Sequence, residues 1–249
     1  MSKSSKYSQY HQDKFVDIYF KKKYNGFFLD IGAHDGISFS NSYFLEKKRG
    51  WSGICIEPNP DVFVQLKKNR QSLNYNVCIS DTEGSVVFRK IVGYSEMLSG
   101  ILEFMDQKHI DRINDECVKY NSTFEDIKVE SKNLNAILKS DNIRHIDYLS
   151  IDTEGAESKI IKSIDLDEIN IEFLTVENND SSDELRLYLK DKGYECIKSF
   201  TDDFFIKTSR SLLYFRLQVF LFVLACTWRQ KFPLISKTEK RIKSMIKKL

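Results

Sequence analysis

The sequence predicts an open α/β fold built on a mainly parallel sheet, and three observations predict it. Short apolar runs alternate with amphipathic stretches through residues 1–208, the pattern of strands alternating with helices. Four of those runs end in an acidic residue: Asp30, Glu57, Asp152 and Glu177. The first run leads straight into a turn with glycines four apart, Gly32 and Gly36. Ligands of such sheets bind outside the carboxyl ends of the strands. Four acids at four strand ends therefore mark a candidate site, although helix N-capping accounts for one or two of them equally well.

The elements follow in order. Residues 27–31 form a compact apolar strand, and residues 41–48 read as a helix closed by Gly50. Residues 53–56 make a second buried strand, which Pro58 stops, and Pro60 suits the first turn of a helix over 61–69. A third strand is expected at 75–79, a fourth at 146–151 and a fifth at 171–176. A helix over 182–192 has Gly193 as its C-cap. Residues 194–199 and 204–207 then form an antiparallel pair around Thr201, Asp202 and Asp203. Residues 84–133 break the rhythm, with a strand at 86–91 and a helix at 103–120. They read as an insertion over one side of the site.

Composition narrows the function. With 41% hydrophobic and 30% charged residues, ten glycines and three prolines in 249 residues, the chain buries a sizeable core and is neither collagen-like nor disordered. The net charge of +2 is too small to argue a nucleic-acid partner. Its distribution is uneven: residues 207–249 carry +10 and the rest −8, an asymmetry that points to an anionic partner for the tail. Five scattered cysteines without a CxxC pair suit a reducing compartment. The first residues contain no apolar signal-peptide core, which places the protein inside the cell, in the cytoplasm. Walker A, HExxH and zinc-ligand spacings are missing. Asp152 and Glu154 lack a third metal ligand in the sequence, so no metal is assigned. His11, His109 and His145 read as structural.

The segment LDIGAHDG (29–36) carries the chemistry. Its glycines let the backbone approach a ligand closely, but the dinucleotide fingerprint GxGxxG is absent, which disfavours a nicotinamide-dependent oxidoreductase. An acid directly before the turn suits an amino-bearing ligand better than a pyrophosphate. Glu57, closing the second strand, is placed to accept hydrogen bonds from both hydroxyls of a ribose. An amino group near Asp30 and a ribose near Glu57 together describe S-adenosylmethionine. His34 lies inside the same turn and is counted with the cofactor residues.

Over residues 8–208 the chain resembles the FkbM-type methyltransferases, a branch of the class I S-adenosylmethionine-dependent enzymes. The resemblance rests on an ordered set: FFLDIGAHDG (27–36), SFSNSYFLEKKRGWSGICIEPNP (38–60), NVCISDTEGSVVF (76–88), LNAIL (134–138), IDYLSIDTEGAESKII (146–161), FLTVEN (173–178), LKDKGYECI (189–197) and DDFFI (202–206). It implies a Rossmann-like seven-stranded sheet, mostly parallel with an antiparallel C-terminal hairpin. It also implies methyl transfer to a hydroxyl of a carbohydrate or other small metabolite. Carried over by position, Asp30, Gly32 and Gly36 hold the methionine part of the cofactor, Glu57 its ribose, and Ser80 with Asp81 lie near the adenine. Asp152 faces the methyl group and the acceptor, and Glu154 and Glu157 belong to the same motif. Asp152, Glu154 and His34 are candidate bases, with Asp152 preferred. The chain departs from the family in having LNAIL where a Leu-Asp-Asp pattern is frequent, and Ser150 where many members have lysine.

Residues 209–249 lie beyond this domain. Residues 217–228 are apolar except Gln218 and Thr227, but as a helix they rise only about 18 Å against a hydrocarbon core of about 30 Å. In 239–249, Ile242, Met245, Ile246 and Leu249 recur at helical spacing among basic residues. Such a helix lies on anionic lipid or packs on protein, so residues 211–249 are read as a membrane-surface or partner-binding segment. The competing reading of the whole chain is a catalytically inactive scaffold that keeps the fold and works through this tail.

Overall fold

The computed structural model describes residues 7–81, 83–178, 183–199 and 202–208. The expected tail lies outside the described residues. Eleven strands are described: β1 (Phe27–Ile31), β2 (Ser52–Ile56), β3 (Leu73–Tyr75), β4 (Cys78–Ile79), β5 (Gly84–Val92), β6 (Gly100–Ile101), β7 (Thr123–Lys132), β8 (His145–Ile151), β9 (Asn170–Glu177), β10 (Tyr194–Ser199) and β11 (Asp202–Lys207). The helices are α1 (Gln12–Tyr19), α2 (Tyr43–Arg49), α3 (Pro60–Asn69), α4 (Gln107–Tyr120), α5 (Leu134–Ser140), α6 (Glu157–Ser163) and α7 (Asp183–Asp191).

Seven strands form the main sheet in the order β10-β11-β9-β8-β1-β2-β3. β1 pairs in parallel with β2 and β8, while β11 runs antiparallel to both β9 and β10. This is the Rossmann-like sheet with a reversed C-terminal strand that the sequence predicts. The central strands are buried on both faces, and their period of two separates two cores. Leu29 and Ile31 face α5, α6 and α7 through Leu138, Ile160 and Leu189. Phe28, together with Phe15 and Val16 of α1, Leu45 of α2 and Leu66 of α3, forms the opposite core. Asp30 shares the Phe28 side of β1 by the same alternation, so it projects toward α2 and α3.

Four local expectations need correction. The predicted third strand at 75–79 is two strands in two sheets, because Asn76 turns aside and its amide donates to Glu57 O (2.8 Å) and Pro58 O (3.0 Å). The helix expected from residue 41 starts at Tyr43, since the Ser40 hydroxyl oxygen accepts the Tyr43 N–H (3.1 Å) and Ser42 turns its hydroxyl to Asp30. Asp202 and Asp203 belong to β11 rather than to a turn: Gln12 donates to Asp202 Oδ2 (2.6 Å), and Arg186 holds both oxygens of Asp203 (2.7 and 2.9 Å). The helix expected from residue 103 starts at Gln107, where the Asp106 carboxylate caps it by accepting the His109 N–H (2.7 Å).

The insertion is a four-stranded sheet of its own, β4-β7-β5-β6, with α4 packed on it through Ile113. Cys55, Cys78, Cys117 and Cys196 are free thiols. Burial pushes Cys55 and Cys78 up to about 12, which leaves them inert at neutral pH. Among the described residues no helix is long and apolar enough to cross a membrane.

Candidate active site

The carboxyl ends of β1, β2, β8 and β9 open onto a cavity of about 280 Å³, near the lower end of the usual range for ligand cavities, about 300–1,000 Å³. Asp30, Glu57, Asp152 and Glu177 all line it. Gln9 and Tyr10 close one side, and the insertion closes another with Glu96 to Ile101 and Arg112.

The glycine turn is shaped by close approach. Gly32 has φ +84°, and a Cβ there stands 1.7 Å from the backbone oxygen of Asp152. Its N–H and that of Ala33 both donate to Ile56 O at 3.0 Å. Gly36, φ +79°, makes room for Arg70 and Leu66 and does not line the cavity. His34 lines it in a left-handed conformation, φ +49°. The His34 Nε2 meets Glu96 Oε1 at 3.1 Å, which ties the turn to the insertion. Burial lowers the affinity of His34 for a proton, but Asp35, Glu57 and Glu96 outweigh it and the net shift is upward.

Asp30 is buried and accepts a short hydrogen bond from the Ser42 hydroxyl. Arg70 anchors this corner from below. It donates to Glu46 Oε2 (2.7 Å), Ser42 Oγ (2.9 Å) and Gly36 O (3.2 Å), with its own side chain fully buried. Burial raises the Asp30 carboxyl, and Arg70 and Ser42 offset part of that rise.

Glu57 has two jobs. Its Oε1 accepts the Asn59 N–H (2.8 Å) and its Oε2 the His34 N–H (2.9 Å), so it braces both turns while lining the cavity. Burial pushes it up to about 7 from the ordinary 4.5. The unfolded chain loses this proton first, so Glu57 makes stability fall as pH rises from about 4.5 to about 7. Glu57→Gln, which cannot titrate, removes that slope. Urea unfolding across the window should show the parent losing about 2–3 kcal/mol relative to the variant, and parallel curves contradict the assignment.

Four buried polar atoms on cavity-lining residues have no hydrogen-bond partner among the described residues, His34 Nδ1, Glu154 Oε2, Asn41 Oδ1 and Asn59 Nδ2, and the last two belong to side-chain amides. The Asn41 amide donates to Ser150 Oγ (2.9 Å) beside Asp30, and Asn59 Oδ1 caps α3 through the Asp61 N–H (3.1 Å). Each is thus held with its other amide atom unspent. Unpaired buried polar atoms cost free energy, and a ligand bearing an ammonium group and an acceptor-rich base satisfies both.

On the far side of the cavity the carboxylates are crowded. The sequence names no third partner for Asp152 and Glu154. The fold supplies Glu177, and one oxygen of each of the three lies within 4.8 Å of the others. Such a cluster either gathers a cation or shares protons. Enclosure in the cleft, then Glu177 and Asp202, push Asp152 well above the carboxylate range, although its side chain meets solvent in the cavity. Glu154, at φ +56°, is pushed up to about 8 by burial and by Asp152. Glu157 is structural: its Oε1 accepts from the N–H and hydroxyl of Thr153 (both 2.8 Å), and its Oε2 from the Gly155 N–H (3.0 Å).

Ser80 and Asp81 do not line the cavity; Val77, Cys78 and Ile79 stand there instead. Ser80 donates its N–H to Lys132 O (3.2 Å) and its hydroxyl to Asp81 (3.2 Å). Sequence reasoning missed Asn41 and Asn59, which lie inside quoted motifs, and His109 and Arg112, whose spacing with Glu116 on α4 marks one helical face.

The strand order and a ligand cavity at the carboxyl edge define a Rossmann-like protein of the methyltransferase class. A family model described as Methyltransferase FkbM domain matches residues 30–196, and the chain belongs to that family. S-adenosylmethionine, the cofactor expected from the sequence, agrees with that membership. The chain is 27% identical over 141 residues to the 2-O-methyltransferase NoeI of Sinorhizobium fredii (strain NBRC 101917 / NGR234). The match covers 53% of this chain and 55% of NoeI, so the chain spans about half the length of that curated relative. Among solved structures it is similar to M. capricolum TrmK in complex with S-adenosyl-homocysteine (TM-score 0.40, 12% identity, 80% of this chain and 69% of that one). It is also similar to the N-terminal domain of human METTL16 (TM-score 0.42, 14% identity, 78% and 66%). At these levels the likeness says nothing about substrate.

Proposed function

We propose that the protein transfers a methyl group from S-adenosylmethionine to a hydroxyl oxygen of a carbohydrate or similarly hydroxylated metabolite. The observation that carries this reading is one cavity lined by Asp30, Glu57 and Asp152 together with the unspent Asn41 Oδ1 and Asn59 Nδ2. Asn41 and Asp30 would hold the amino end of the cofactor, Glu57 its ribose and Asn59 its base. When bound, the cofactor supplies an electrophilic methyl group on a sulfonium. The protein orients the acceptor oxygen behind that methyl and takes its proton, tasks that fall to the Asp152 and Glu154 edge. Oxygen as the methylated atom is supported by NoeI, a 2-O-methyltransferase by name. A cytoplasmic location goes with the free, scattered cysteines.

The test uses labelled S-adenosylmethionine and a pool of neutral mono- and oligosaccharides. Asp152→Ala is expected to keep the parent's affinity for S-adenosylhomocysteine and to lose methyl transfer by about 100-fold or more. Unchanged turnover removes Asp152 from the chemistry. A parent that binds the cofactor and methylates nothing in the pool contradicts the acceptor class.

A further inference from the structure

A second cavity of about 450 Å³ adjoins the first between α4, the loop before α6, and α7. The two share Arg112, Glu154 and Glu177 as common walls. Its remaining lining mixes polar side chains, among them Asp106, Lys108 and Asn178, with the apolar Phe104 and Leu185. A hydroxyl-rich acceptor lying there reaches the cofactor cavity over Glu154.

At that junction stands a pair the sequence did not suggest. His109 Nδ1 lies 3.4 Å from Glu154 Oε2, and the two side chains are only 12% and 11% exposed. The His109 Nε2 is 3.0 Å from Leu98 O. A carbonyl oxygen can only accept, so Nε2 carries the hydrogen, and in the neutral ring Nδ1 presents a lone pair to Glu154. Glu154 Oε2 is buried and has no hydrogen-bond partner within the normal distance among the described residues. The imidazole is further steadied because Asp106 caps α4 through the His109 N–H.

We propose, resting on the methyltransferase reading above, that Glu154 and His109 form the proton relay that deprotonates the acceptor. The hydroxyl proton passes to Glu154 Oε1 as the Oε2 proton passes to His109 Nδ1. The freed oxygen pair makes the C–O bond, and the S–C pair returns to sulfur. The positive charge of the sulfonium ends on the His109 imidazolium, so charge and protons balance. The insertion thereby contributes a group to the chemistry as well as a wall to the cavity. Glu154 is ready to carry a proton at neutral pH, because burial and Asp152 push it up to about 8. The other charged groups facing it are Glu157 of α6, Glu177 of β9, and Arg112 and Glu116 of α4. Of these, Arg112 alone favours its ionised form.

The relay is tested on the full chain by nuclear magnetic resonance. The Glu154 carboxyl carbon is assigned by its loss in Glu154→Gln, and the His109 ring nitrogens by their loss in His109→Gln. A proton shared between neighbouring groups links their titrations, so removing His109 should change the pH dependence of the Glu154 signal. A Glu154 curve identical in parent and variant overturns the relay. The parent alone gives a second readout, which needs no variant to fold: at high pH the hydrogen should be on Nε2, and a hydrogen on Nδ1 overturns the proposal. In the saccharide assay His109→Gln should lose about 100-fold in transfer with S-adenosylhomocysteine affinity unchanged, and equal turnover overturns it. Failure of the parent to bind S-adenosylhomocysteine strikes the methyltransferase reading instead, while the titration still decides the pair.

Discussion

Gly32→Ala is expected to yield a protein that does not hold its fold. The new Cβ stands 1.7 Å from the Asp152 carbonyl oxygen, at a backbone φ of +84° that side chains rarely adopt. The left-handed conformation alone costs about 1–2 kcal/mol. Backbone overlap adds about 1–3 kcal/mol or more, and here neither side yields easily. Asp152 N–H donates to Ile31 O (3.0 Å) and Gly32 N–H to Ile56 O (3.0 Å), so three neighbouring strand ends are stitched at this point. Against a typical total of about 5–15 kcal/mol, the loss leaves little. Thermal and urea unfolding read the result directly, and a parent-like midpoint would mean that β1 and β8 are not in the described register.

Arg70→Met carries the second large effect, through charge rather than shape. The guanidinium is fully buried and holds Glu46 and the Ser42–Asp30 pair. Removing one partner of a buried ion pair costs about 3–5 kcal/mol, because the carboxylates left behind are desolvated and unpaired. The pH dependence gives the mechanism its signature. Burial raises the Glu46 carboxyl, but Arg70 and Lys47 outweigh it and hold the group below its ordinary 4.5. A depressed carboxylate contributes stability above its unfolded pKa and loses it as pH falls through the folded one. The deficit of Arg70→Met should therefore be largest near neutral pH and shrink as Glu46 and Asp30 take up protons in acid. A deficit that does not change with pH would show that Arg70 acts only by filling space.

Much of this was legible in the sequence where periodicity and chain punctuation coincide. The apolar runs of β1, β2, β8 and β9 each end in an acid, the first three at a glycine or proline turn, and those acids converge on one cavity. What escaped was set by tertiary partners. Nothing local says that residues 75–79 divide between two sheets, since the division depends on Asn76 reaching the carbonyls of Glu57 and Pro58. The exposed alternation of β7 looks like polar linker until β5 pairs with it. Glu57 read as a ribose ligand, and the structure makes it also the brace of two turns beside the cavity it lines. His109 had no recognisable partner in sequence, because Glu154 comes to it only through the fold.

The account stands or falls on the strand-end carboxylates forming a cofactor site. Calorimetric titration of the full chain with S-adenosylhomocysteine tests this most directly, with Glu57→Ala as the companion. Saturable binding by the parent, weakened about tenfold or more in the variant (about 1.4 kcal/mol), is the expected result. No binding by a folded parent, or equal affinity in the two proteins, would contradict it.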